Sequence, residues 1–196
     1  MKESFIFLAD GFEEIEAITV IDVLRRAGMP VKTVSITSSL QVTGAHGMTV
    51  TADAIYDNTL FKEPSWLILP GGLPGADNLA AFAPLNGLLN QQASSESGRL
   101  AAICAAPAVV LGEAGLLKGE KATCYPGFEE KLKDAEYVDL PVVESGKFIL
   151  GNGPANALVW ALTIVKVDKG PRVAEEVAAG MLFHEKAGID SANFFG

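Results

Sequence analysis

Leu100-Ala101-Ala102-Ile103-Cys104-Ala105-Ala106-Pro107 decides how the chain is read. Its first four residues are apolar and short enough for a buried strand. A cysteine ends the strand, and two alanines and a proline follow. Proline suits the first turn of a helix, where its missing N–H is no loss. The apolar run Ala108-Val109-Val110-Leu111 continues that helix. Cys104 is therefore expected on a tight strand-to-helix corner, of the kind that presents a nucleophile. N–H groups at the start of the helix would favour thiolate over thiol. Against this stands the ordinary fate of a free cysteine, burial in a core.

Moving outward, the chain alternates strands and helices. Phe5 to Leu8 is a continuous apolar run, as in a strand buried on both faces. After Asp10-Gly11, residues Glu13 to Arg26 read as a helix with Ile15, Ile18, Ile21 and Leu24 as its apolar face. Gly28 and Pro30 end it, and Val31 to Ile36 is the next strand. This β-α-β unit implies a parallel sheet with right-handed crossovers. Leu40 to Ala54, around Gly44-Ala45-His46-Gly47, reads as a hairpin that serves either a subunit contact or a covering flap.

Trp66 to Pro70 is a strand closed by Gly71-Gly72. Ala76 to Ala81 and Pro84 to Ala93 read as helical pieces, Ala122 to Tyr125 as a strand, and Phe128 to Lys133 as a short helix. Val138 to Val143 and Lys147 to Leu150 flank a turn at Glu144-Ser145-Gly146. Gly151-Asn152-Gly153-Pro154 opens a long helix, Ala155 to Val167, and Pro171 starts a last one, Val173 to Phe183. Neither a repeat nor a linker composition interrupts this order. Residues 1–196 are expected to form one α/β domain.

Composition narrows the functions. With 196 residues, 49% of them hydrophobic, the chain can bury a sizeable core. A net charge of -9 argues against nucleic acid or an anionic membrane as partner. The sequence has no apolar run of membrane-spanning length. Met1-Lys2-Glu3-Ser4 has no signal-peptide character, and two cysteines, Cys104 and Cys124, make no secreted framework. A reducing cytoplasm is the expected compartment. Cys/His zinc spacing, a Walker loop and a dinucleotide fingerprint are all absent, so neither metal nor cofactor is expected.

In an open parallel sheet, ligands bind outside the carboxyl ends of the strands. Four such ends carry unusual sequence: Asp10 to Glu16, Pro70-Gly71-Gly72, Cys104, and Gly151 to Pro154. Dipole complementation explains two of the three acids Glu13, Glu14 and Glu16. Glu16, one turn beyond Glu13, is the one expected to point inward.

Glu13-Glu14-Ile15-Glu16, Leu69-Pro70-Gly71-Gly72, Ala101 to Pro107 and Gly153-Pro154 occur in an order and spacing that resemble the ThiJ/PfpI superfamily, in the branch of the Parkinson-disease protein deglycase. The likeness runs from residue 5 to about residue 180. It implies a flavodoxin-like three-layer sandwich with a mostly parallel sheet and a protruding hairpin, and a homodimer. It also implies a Cys104 thiolate hydrogen-bonded to a protonated Glu16, with the N–H groups of Gly72 and Ala105 as an anion pocket. The chain departs from the pattern in three places. Tyr125 stands where family members often have histidine, and His46 and Asn152 where they often have arginines that hold an anion. These three residues are candidates for the substrate pocket or the dimer side of it.

Two functions follow. One is a cysteine-dependent enzyme for reactive carbonyls or glycated adducts, of glutathione-independent glyoxalase or deglycase type. The other is a redox sensor or oxidative-stress chaperone acting through Cys104 oxidation. A protease or amidotransferase would need a histidine base beside the sulfur. The chain has only His46 and His184, and Ala105 follows the cysteine. The superfamily's historical link with thiamine metabolism finds no residue to support it.

Overall fold

A computed structural model describes residues 2–183. Its strands are β1 (Ser4–Leu8), β2 (Val31–Ser35), β3 (Gln41–Thr43), β4 (Thr49–Thr51), β5 (Ala54–Ile55), β6 (Trp66–Leu69), β7 (Arg99–Ile103), β8 (Lys121–Ala122), β9 (Glu136–Tyr137), β10 (Val142–Ser145) and β11 (Phe148–Gly151). The α-helices are α1 (Glu14–Arg26), α2 (Gly75–Ala81), α3 (Ala83–Ser94), α4 (Ala157–Lys169) and α5 (Pro171–Gly180).

Seven strands form one sheet in the order β10-β11-β7-β6-β1-β2-β5. All neighbours are parallel except β10 and β11. The inner order β2-β1-β6-β7-β11 is the flavodoxin arrangement, and its switch point lies between β1 and β6. Alternate strand residues feed two apolar layers, because side chains point to opposite faces of a strand. Ile6, Leu8, Trp66, Ile68, Ala101 and Ile103 meet α1, α4 and α5 on one face. Phe5, Phe7, Leu67, Leu69, Leu100 and Ala102 meet α2, α3 and residues 107–112 on the other. Helix α4 packs against both α1 and α5, which accounts for its nearly all-apolar sequence.

The expected hairpin is present as β3 and β4, paired antiparallel outside the main sheet. It is pinned to the first helix's approach: Gly11 N–H donates to the Thr43 carbonyl at 2.8 Å, and Ala45 N–H to the Phe12 carbonyl at 2.8 Å.

Several local expectations need correcting. The buried stripe of α1 is Glu16, Ala17, Val20, Val23 and Leu24. Ile15 and Ile18 lie outward, 56% and 45% exposed. The sequence contains two helical stripes. Backbone pairing at residue 13, described below, fixes the helix's rotation and sends the isoleucine stripe away from the sheet.

The segment after Cys104 is a six-residue π-helical turn, Pro107–Gly112, instead of a regular α-helix. Of the expected strand at 122–125 only Ala122 is in a strand, as the end of β8, which pairs with β9. β10 begins at Val142 instead of Val138, and α5 ends at Gly180. His184 lies outside the described residues.

Candidate active site

The site is built where β1, β6 and β7 end together. Gly71, just beyond β6, stitches it to α1. Its carbonyl accepts the Glu13 N–H at 2.9 Å, and its own N–H donates to Glu16 Oε2 at 2.8 Å. Glu13 caps α1, its Oε2 accepting the Glu16 N–H at 2.8 Å. In a reciprocal capping box the glutamate three residues on would bond back to the cap's N–H. Here the Gly71 carbonyl already occupies that N–H, so the Glu16 carboxyl is free to turn under the sheet's edge. Glu16 is fully buried, at 0% exposure. Oε1 is buried too and has no partner that meets full hydrogen-bond geometry.

Cys104 follows β7 with φ +64, in the left-handed region that a β-carbon disfavours. Two segments hold it there. Its N–H donates to the Gly151 carbonyl at 2.9 Å, and its carbonyl accepts the Tyr125 N–H at 2.8 Å. The corner keeps Cys104 on the same face as Ile103, the face of α1 and Glu16. The Glu16 carboxyl and the N–H groups of Gly72 and Ala105 act on its sulfur electrostatically.

Gly71 has no room for a side chain. A β-carbon there would come to 2.6 Å of Cys104 Cβ and 3.0 Å of Glu16 Oε2. Gly72 has φ +88, and a β-carbon on it would meet the Glu13 nitrogen at 2.4 Å. These glycines are therefore required by space, and at Gly72 also by backbone angle.

Electrostatically the two side chains share one problem. Burial pushes the Glu16 carboxyl up to about 7, against the pull of the Gly71 N–H and Cys104, and the charge of Glu13 adds to the rise. Burial and a charged Glu16 push the Cys104 thiol up to about 12, while the Gly72 and Ala105 N–H groups pull it down. The expectation of a raised Glu16 is met. The expected preference for thiolate is not met here, because burial first, and then a carboxylate against the sulfur, outweigh two amides. A proton moved onto Glu16 removes that repulsion and turns it into a donated hydrogen bond. Touching groups of this kind titrate as a pair.

His46, on the hairpin, lies next to Glu14, which is buried. Its N–H donates to Glu14 Oε1 at 2.7 Å, and its Nδ1 is 2.8 Å from Oε2. Burial works to raise the Glu14 pKa, but His46 and the His46 and Met48 N–H groups hold it below the usual value. The Glu14 hydrogen bond raises that of His46. Among the described residues, Glu13, Glu14 and His46 form the one set of three possible metal ligands whose atoms converge, within 4.8 Å of one another. Glu14 and His46 also hold the hairpin and helix together, and Glu13 caps the helix. The reading of Glu14 as plain dipole complement missed this; its signal was a histidine on the turn of a hairpin facing a helix start.

Tyr125 follows the short strand β8, its N–H on the Cys104 carbonyl, and Asn152 follows β11, its Oδ1 accepting from Asn156 Nδ2 at 2.8 Å. The structure thus brings Glu16, Cys104, Gly72 and Ala105 into one cluster, with Tyr125 attached through backbone. His46 joins that cluster only through Glu13, its Nδ1 3.9 Å from Glu13 Oε1. Cys124 is buried in the opposite apolar layer.

Comparison with known proteins agrees with this geometry. Residues 2–167 match the sequence profile of the DJ-1/PfpI family. Protein DJ-1 homolog B of Arabidopsis thaliana is 38% identical over 189 residues, 95% of this chain but 43% of that protein. The chain thus spans less than half of that plant relative. A deglycase from Pyrococcus horikoshii is 33% identical over 86% of this chain and 100% of its own length. The solved structure of oxidized Toxoplasma gondii DJ-1 superposes with a TM-score of 0.89 at 34% identity, covering 93% of this chain and 99% of that one. By fold, by sequence and by the glycine-and-cysteine corner at its strand ends, the chain belongs to the DJ-1/PfpI family.

Proposed function

We propose that the protein is a cysteine-dependent enzyme acting on small reactive carbonyls or on the adducts they form with amines, without glutathione. The observation that carries this reading is the pairing of a buried carboxyl, Glu16, pushed up to about 7, with the thiol of Cys104. A 2-oxoaldehyde needs a nucleophile at its aldehyde carbon and an acid–base group that can work near neutral pH.

The Cys104 thiolate adds to the aldehyde carbon of methylglyoxal, and the carbonyl oxygen takes the Glu16 proton, giving a hemithioacetal and leaving Glu16 ionised. Glu16 as carboxylate removes the proton from that carbon and returns it to the neighbouring carbonyl carbon. The aldehyde carbon is thereby oxidised to a thioester and its neighbour reduced to an alcohol. Water then releases lactate and restores the thiol, so no external oxidant or reductant is needed. The Gly72 and Ala105 N–H groups stabilise negative charge on sulfur or on the adduct oxygen. The relative named deglycase supports the same chemistry on glycated amines. The family resemblance also favours a homodimer.

A second reading has its own observation. The Toxoplasma relative was solved oxidized, and Cys104 here has the two N–H donors that would hold a sulfinate. Steady-state lactate formation from methylglyoxal separates the two. A sensor without turnover forms none, whereas the enzyme forms it at a rate that disappears in Cys104→Ser.

A further inference from the structure

The surroundings of Cys104 carry information about what may enter. Tyr125 is bound to the nucleophile through backbone, its N–H on the Cys104 carbonyl at 2.8 Å. Its side chain is nonetheless 45% exposed. The ring edge rests at Gly153, where a β-carbon would lie 3.5 Å from Cδ2 and 3.8 Å from Cε2. Gly153 follows β11, the strand whose Gly151 holds the Cys104 N–H, so the ring stands at the same sheet edge as the sulfur. Among the described residues, its hydroxyl has no hydrogen-bond partner. An aromatic ring with a free hydroxyl, propped against a glycine, has surface available for a ligand.

The packing behind the nucleophile corner is apolar. Ala105 packs with Ala76 and Val109, and Ala80 and Phe128 lean against them. Phe128 belongs to the turn that starts at Tyr125, its N–H donating to the Tyr125 carbonyl at 3.2 Å. Glu13, Glu14 and Glu16 gather at the site, and His46 is paired with Glu14 beside them. Glu13 acts on Glu16 and Glu16 on Cys104. His46 is engaged by Glu14, and Asn152 is neutral and tied to Asn156.

We propose that Tyr125 is a specificity-determining wall of the site, and that the site prefers 2-oxoaldehydes carrying an uncharged aromatic or apolar substituent over those carrying a carboxylate. This rests on the carbonyl reading given above. The ring supplies stacking surface for an aryl group, and the acids, whose neighbouring His46 is already engaged by Glu14, disfavour a second negative charge. The reaction on phenylglyoxal is the same internal transfer, ending in mandelate.

The test compares kcat/KM for phenylglyoxal, methylglyoxal and 4-carboxyphenylglyoxal in the parent protein, Tyr125→Ala and Tyr125→Phe. The parent should favour phenylglyoxal over its carboxylated analogue at least tenfold, with the gap narrowing at high salt. Tyr125→Ala should lower the phenylglyoxal-to-methylglyoxal ratio about tenfold, mainly through KM, and Tyr125→Phe should restore it. A second readout needs no turnover: the rate at which phenacyl bromide and 4-carboxyphenacyl bromide alkylate Cys104, followed by peptide mass. The same preference and the same loss in Tyr125→Ala are expected there. Ratios unchanged by Tyr125→Ala in this alkylation overturn the wall. Hydroxy acid formed from no glyoxal, with the alkylation preference intact, overturns the carbonyl reading and leaves the wall standing. Tyr125→Leu serves if the alanine variant loses its circular-dichroism signature.

Discussion

Gly71 and Glu16 are joined by a single hydrogen bond, backbone N–H to Oε2 at 2.8 Å, and the glycine's missing side chain is what leaves room for the carboxyl beside Cys104. Gly71→Ala should therefore act on two groups at once. The added methyl would strike Cys104 Cβ and crowd Glu16, so carbonyl turnover should fall at least a hundredfold. Overpacking of this kind costs about 1–3 kcal/mol. Denaturant unfolding and lactate assays on the variant check both numbers.

Glu16→Gln keeps a hydrogen-bond donor but cannot carry a proton between carbons. It should abolish lactate formation while leaving Cys104 open to alkylation. Turnover at the parent's rate would remove Glu16 from the acid–base role.

The same substitution has a signature in stability against pH. The folded Glu16 carboxyl titrates at about 7 and an unperturbed one at 4.5. Below the lower value both states hold the proton. Between the two the unfolded chain ionises first, so Glu16's contribution to stability is lost as pH rises, and above the higher value the loss is complete. Glutamine does not titrate. Glu16→Gln should thus gain stability relative to the parent between pH 4.5 and 7, by up to about 3 kcal/mol. Paired urea melts at pH 4 and pH 8 measure it, and a difference independent of pH would contradict the raised carboxyl.

Peroxide should modify Cys104 before Cys124. Burial raises both thiols, but only Cys104 has two backbone N–H groups that oppose the rise. Cys104 is 8% exposed and Cys124 1%. Peptide mass spectrometry over a peroxide time course gives the order.

Ile15 and Ile18 leave two large apolar side chains facing outward from α1, near a hairpin whose Met48 is also exposed. Burying each isoleucine against a second copy would contribute roughly 1.5–3 kcal/mol. Light scattering should give twice the chain mass for the parent. The double variant Ile15→Glu and Ile18→Glu should give a monomer that keeps its helical content.

These two isoleucines also show where sequence reading stops. Apolar spacing announced a helix at the right place, but two stripes satisfied the period, and the choice between them was made by a backbone hydrogen bond from Glu13 to Gly71, fifty-eight residues away. The alternation of strands and helices was legible because fully buried strands such as Trp66–Leu69 and Leu100–Ile103 carry no polar residue. The corner at Cys104 was legible from small residues and a proline. Glu16's inward turn was anticipated for an incomplete reason: position in the helix suggested it, but a cap N–H already taken by Gly71 produces it. The Glu14–His46 contact joins residues thirty-two apart, and local pattern could not supply it. The strand expected at Ala122–Tyr125 failed because two of its residues serve another purpose, Thr123 donating to the Leu140 carbonyl and Tyr125 to that of Cys104.

The left-handed backbone at Cys104 has an evolutionary reading. Glycine is the residue that takes such an angle without penalty, and any other costs on the order of 1 kcal/mol there. A lineage selected for folding alone would be drawn to replace the thiol at this position, because relief of the strain is one codon change away in physical terms and the neighbouring strands would still clamp the backbone. A cysteine in that place is a standing concession of stability. A redesign of this chain guided by stability alone would therefore put glycine here and remove the sulfur on which the proposed chemistry rests.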